Sequence, residues 1–138
     1  MKKTAVIYWS GTGNTQAMAE AVLEGMKGAG ADAAIMTPDQ VSDVSDYDAV
    51  ALGCPAMGAE VLEDAEFEPM YDSIKGSLAG KAVALFGSYG WGDGQWMRDW
   101  EERAKSAGAV LACDSVTAND APDDSALDSC KALGAALA

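Results

Sequence analysis

The chain has 138 residues, 9 basic and 22 acidic, giving a net charge of −13 with no histidine. That balance disfavours nucleic acid and anionic membrane surfaces, whose phosphates it would repel, and suits a basic-surfaced protein partner. Without imidazole there is no histidine triad and no histidine-ligated metal; with 49% apolar residues there is material for one folded domain over 1–138 rather than for disorder.

Taken in chain order, short apolar runs alternate with amphipathic stretches. Residues 4–9 form a continuous apolar run, the pattern of a strand covered on both faces. After Gly11-Thr12-Gly13 a helix is expected over 14–27, with Met18, Ala21, Val22, Gly25 and Met26 on one stripe. Residues 31–36 make a second strand, and the acidic stretch 39–47 a poor or short helix. A third strand fits 49–54, followed by a helix over 66–78 with Pro69 in its first turn. A fourth strand fits 81–86, and a helix over 95–106 aligns Met97, Trp100, Ala104 and Ala107. The fifth strand is expected to run unbroken over 109–116, before a last helix over 123–137 that aligns Ala126, Cys130, Leu133 and Leu137. Five such strands alternating with helices imply a parallel α/β sheet with helices on both faces.

The three cysteines, Cys54, Cys113 and Cys130, include no C-x-x-C pair, and reduced, packed thiols are expected. Met1-Lys2-Lys3-Thr4 runs straight into the first strand, too short an apolar stretch for a signal peptide, and no run is long enough to span a membrane. A soluble, cytoplasmic protein is expected.

In such sheets ligands sit at the carboxyl ends of the strands, so the loops after strands one, three and four carry the chemistry. The first is Ser10-Gly11-Thr12-Gly13-Asn14-Thr15: two glycines that let backbone N–H groups face an anion, three hydroxyls, an amide and a helix start. No Lys or Arg lies between Lys3 and Lys27, which excludes the lysine-bearing P-loop of NTPases. Gln16 stands where a dinucleotide fingerprint would want its third glycine. An anion here would be held by neutral donors alone.

The second loop, Cys54-Pro55-Ala56-Met57-Gly58-Ala59-Glu60, suits a type II turn with glycine at the position of positive φ. Met57 offers a soft face to a planar ring, though a methionine is as readily core, and Glu60 is either an N–H acceptor or a solvated acid. The third, Gly87-Ser88-Tyr89-Gly90-Trp91-Gly92-Asp93-Gly94, sets aromatics among glycines that permit close approach to a flat ligand. Trp91 is its expected stacking platform, whereas Tyr89 and Trp96 are expected to be structural.

Together these three loops resemble the short-chain bacterial flavodoxins, in order and spacing along the whole chain. The resemblance implies the doubly wound order 2-1-3-4-5, one bound FMN, and a monomeric low-potential carrier that shuttles between semiquinone and hydroquinone. By that similarity Ser10, Thr12, Asn14 and Thr15, with the loop N–H groups of Gly11 and Gly13, hold the FMN phosphate. Trp91 would stack on the outer flavin face and Met57 flank the inner one, framed by Pro55, Ala56, Tyr89, Gly90 and Gly92. Glu60 would accept from flavin N3, Ser88 lie near the ribityl chain or ring, and Gly58 match the position that turns its carbonyl toward flavin N5. Pro55 departs from relatives that carry a hydroxyl there, and Trp91 from the many that carry Tyr. The loop of about twenty residues that splits the last strand of long-chain relatives is absent.

Six acids and no base between positions 60 and 72 (Glu60, Glu63, Asp64, Glu66, Glu68, Asp72) would oppose a second negative charge on the flavin and steer a basic partner. The competing reading is an FMN-dependent NAD(P)H:quinone reductase, which would need a base to hold a nicotinamide nucleotide. A phosphorylated receiver domain is excluded, because Ser10-Gly11 and Cys54-Pro55 stand where its acids belong.

Overall fold

In the computed structural model, which describes residues 2–11, 13–41, 43–57, 61–90, 92 and 94–138, the first apolar run becomes the central strand. β1 (Lys3–Tyr8) pairs in parallel with β2 (Asp32–Met36) on one side and β3 (Ala49–Gly53) on the other. β4 (Ala82–Tyr89) adds to β3, and β5 (Val110–Leu111) and β6 (Val116–Asn119) both add to β4. The order is β2-β1-β3-β4-β5, all parallel, as the alternation of strands and helices predicts.

Successive strand residues face opposite layers. Ile7, Leu52 and Leu85 pack on α2 (Phe67–Ile74) and α3 (Gln95–Ser106), where Trp100 meets Phe67 edge-on with ring centroids 5.4 Å apart. Val6, Ala51, Ala84 and Phe86 pack on α1 (Asn14–Gly28) and α4 (Asp124–Leu137). Those two helices touch through glycines: a Cβ on Gly25 would fall 2.0 Å from the Lys131 carbonyl oxygen, and one on Gly134 2.1 Å from that of Val22. Only hydrogen fits in either gap.

Three expectations are corrected. The poor or short helix expected over 39–47 is, among the described residues, only a single 3-10 turn at Pro38–Gln40, its start closed by the Gln40 side chain accepting from the Thr37 N–H at 3.0 Å. The helix expected over 66–78 ends at Ile74 and tightens into a 3-10 turn at Lys75–Ser77, where Gly76 weakens helix propensity. The fifth strand does not run unbroken. Val83 pairs with Leu111 and Phe86 with Val116, so four residues (112–115) stand opposite two of β4. This is a two-residue bulge, in which Ser115 turns aside to donate to the Glu101 carboxylate at 2.8 Å. Among the described residues no helix is long and apolar enough to cross a membrane.

Candidate functional site

A cavity of about 240 Å³ opens at the carboxyl ends of β1, β3 and β4. Trp9, Ser10, Gly11, Asn14 and Thr15 line it from the first crossover, Pro55, Ala56 and Met57 from the segment after β3, and Ser88, Tyr89 and Gly90 from the end of β4. Asp120, just past β6, completes the lining.

The first crossover is shaped by one hydroxyl. Ser10 Oγ accepts the N–H of Gly13 at 3.1 Å and of Gln16 at 3.2 Å, which uses both lone pairs and leaves its proton to donate. Gly13 begins α1 from the left-handed region, φ 95°, with no side-chain cap. Among the described residues the N–H groups of Asn14 and Thr15 meet no acceptor. With the positive end of the helix dipole behind them, they form an uncharged anion cradle.

Thr15 reaches inward. Its Oγ1 lies 3.1 Å from Ser88 Oγ and accepts the Ser88 N–H at 3.4 Å, both residues being buried. Ser88 and Tyr89 are strand residues, because β4 extends past the expected end at Phe86. Gly87 permits this: a Cβ there would fall 2.2 Å from the Cys54 carbonyl oxygen.

The wall after β3 is anchored three times. Cys54 N–H donates to the Phe86 carbonyl at 3.1 Å, Ala56 N–H to that of Ser88 at 3.0 Å, and Trp96 Nε1–H to that of Cys54 at 3.2 Å. Trp96 is 2% exposed and structural, as expected, whereas Tyr89, its ring 5.5 Å from that of Trp96, also lines the cavity. Met57 and Val61 exchange two backbone hydrogen bonds, at 2.8 and 3.0 Å.

The acidic stretch is less free than its composition suggests. Glu63 is 6% exposed; its carboxylate accepts the N–H groups of Ala65, Glu66 and Phe67 at 2.8–2.9 Å and so caps α2. Desolvation pushes this carboxyl up, but the three N–H donors outweigh it and hold it below the usual carboxylate range. Glu68 is bound by Arg103 in a two-pronged bridge at 2.6 and 2.9 Å, and Asp72 by Lys75 at 2.6 Å. Asp64 and Glu66 remain exposed and, among the described residues, without an ion pair. The three thiols are free, and burial pushes Cys54 and Cys130 up to about 12.

Ten of the expected site residues thus meet around one cavity. Gly13 acts behind it, Gly92 stands apart from its lining, and Thr12, Gly58, Glu60 and Trp91 lie outside the described residues. Sequence reasoning missed Trp9, taken as the last strand residue, and Asp120. The signal for Asp120 was present: the order 2-1-3-4-5 puts the loop after the last strand beside that after β4, and Asn119-Asp120 is a turn pair.

The family model for flavodoxin matches residues 6–134. The chain is 45% identical over 135 residues to the flavodoxin of Megasphaera elsdenii, covering 96% of each. It is 46% identical over 125 residues to that of Clostridium beijerinckii, covering 89% of this chain and 91% of that one. The solution structure of two-electron reduced Megasphaera elsdenii flavodoxin superposes with a TM-score of 0.88 at 42% identity, covering 97% of both chains. The chain belongs to the flavodoxin family, the FMN-binding electron carriers.

Proposed function

We propose that the protein is a low-potential one-electron carrier that works between redox proteins as a single FMN-binding unit, and is not itself a reductase. The observation that supports this best is the cavity's first crossover: converging hydroxyls, an amide and free N–H groups at a helix start, with no base in the described lining. That donor set fits a phosphate monoester. When bound, FMN supplies the capacity to take up and release electrons singly.

In this reading Ser10, Thr12, Asn14 and Thr15 donate to the phosphate, with the N–H groups around Gly11 and Gly13. Ser88 braces Thr15 and so sets the angle from which that hydroxyl approaches. Met57 and Trp91 enclose the flavin ring and exclude water from its faces, and Tyr89 and Gly90 form the floor beside them. Glu60 accepts an N–H of the ring, and Gly58 supplies a backbone carbonyl near it. The two backbone hydrogen bonds between Met57 and Val61, on either side of these residues, favour such a role. The carrier acts as a monomer in the cytoplasm, consistent with its free thiols, and hands electrons to basic-surfaced partners at the cavity mouth.

The purified protein should show flavin absorption bands and release FMN on acid treatment. A colourless chain that takes up no added FMN would refute the proposal. Steady-state turnover of NAD(P)H with a quinone should be negligible; substantial turnover would favour the reductase reading instead.

A further inference from the structure

The two glycines of the first crossover are needed for different reasons. Gly13 has φ 95°, where an L-residue is strained, yet a Cβ on it would meet nothing within 4 Å. Gly11 lies outside the left-handed region, but a Cβ on it would fall 3.1 Å from Trp9 Cη2 and 3.3 Å from Trp9 Cζ3. Carbon atoms pack best at about 3.5–4.0 Å, so a methyl group there has to displace the ring or the loop. Gly13 answers to its backbone; Gly11 answers to Trp9.

Trp9 is itself firmly held. Its N–H donates to the Gly53 carbonyl at 3.0 Å, carrying the β1–β3 pairing one residue past Tyr8. Its half-buried side chain packs against the core under α2 and α3 and also lines the cavity. One indole thus joins the sheet and that core to the loop that bears Ser10, Asn14 and Thr15. Donors on a short loop hold an anion well only when they stand in place beforehand, because ordering them on binding costs affinity.

We propose that Trp9 is the positioning residue of the anion cradle: Gly11 lies against its indole, and that contact sets where the loop's hydroxyls, amide and N–H groups converge. This rests on the FMN reading above, the anion being the cofactor's phosphate. Trp9 acts through Gly11 rather than as a donor, so it governs recognition of the phosphate and not of the flavin ring.

The test measures affinity for FMN and for riboflavin, which lacks the phosphate, by flavin fluorescence quenching in wild type, Trp9→Phe, Gly11→Ala and the double variant. Phenylalanine keeps an apolar ring in the core and withdraws the outer edge that meets Gly11. Each single variant binds FMN about tenfold more weakly, while riboflavin affinity stays within about twofold. The double variant binds FMN no more weakly than Trp9→Phe, because the added methyl group then has room. Gly13→Ala, whose demand is on φ, costs the same factor with and without Trp9→Phe. Gly11→Ala leaves the core untouched, so its selective loss of FMN tests the contact even where Trp9→Phe unfolds. Additive losses at positions 9 and 11 overturn the proposal, as do equal losses for the two ligands or a Gly11→Ala protein that binds FMN like wild type. Failure of the wild type to bind FMN instead removes the underlying reading.

Discussion

Thr15 Oγ1 and Ser88 Oγ lie 3.1 Å apart, joining the start of α1 to the end of β4 across 73 positions of chain. Both are buried, so neither hydroxyl has water as an alternative partner. Replacing Thr15 by Val keeps the shape and removes the oxygen, which strands both Ser88 Oγ and the Ser88 N–H that donates to it. Thr15→Val should lower the unfolding free energy of the FMN-free protein by about 1–3 kcal/mol, the cost of an unsatisfied buried group. Urea unfolding measures that. FMN affinity, followed by flavin fluorescence quenching, should fall about tenfold as one charge-assisted donor is lost. Unchanged values in both assays would mean that the pair is incidental.

Ser10 tests the anion cradle separately from the ring. Its oxygen accepts from Gly13 and Gln16, so Ser10→Ala loosens the loop and deletes a donor toward the phosphate. The variant should bind FMN about tenfold more weakly, a difference of about 1.4 kcal/mol. Riboflavin, which lacks the phosphate, should bind wild type and variant alike. Equal losses for both ligands would place the hydroxyl's effect on the ring instead.

Glu63 makes a prediction with a definite sign in pH. Its carboxyl in the folded protein is held below the usual range, so its contribution is complete above the unfolded-state value, about 4.3, and is lost as pH falls through the folded one. Glu63→Gln retains one acceptor but points an NH₂ at the N–H groups of α2. At pH 7 the variant should be less stable by about 2 kcal/mol, and the gap should close progressively below pH ~4.3. Denaturant unfolding across that range reads it. A gap that widens in acid would contradict the capping role.

How much of this was legible beforehand depends on which physics each residue answers to. The parallel sheet was visible because strands buried on both faces must be apolar throughout, as 4–9 and 49–54 are. The bulge at 112–115 was not, since the apolar character of 109–113 carries no mark of register; register is decided by where β4 offers partners and by Ser115 reaching Glu101. Ser10 and Thr15 were found because a helix start after glycine has few other uses for clustered hydroxyls. Glu63 was counted with the acids that repel flavin charge and steer a partner, and its capping role was not seen. Composition counts charges, whereas burial and the three N–H groups that Glu63 accepts are set only once Cys54 and α2 come together, with the Glu63 N–H donating to Cys54 Sγ at 3.3 Å.

That rereading of the acidic stretch changes what steering by charge should look like. Glu68 and Asp72 each form a near-neutral pair with a base, so among the described residues of this stretch the exposed, unpaired charge is left to Asp64 and Glu66. Reduction of cytochrome c, a basic electron acceptor, by the reduced protein should therefore slow by about twofold in Asp64→Asn or Glu66→Gln at an ionic strength of about 0.01 M. Arg103→Gln should act in the opposite sense. It unmasks the Glu68 carboxylate now held at 2.6 Å and raises the rate by a similar factor. Near 1 M salt, where the screening length falls to about 3 Å, all four proteins should converge. Stopped-flow traces at the two salt concentrations decide the matter, because a charge that merely kept the protein soluble would leave the Arg103 variant no faster than wild type.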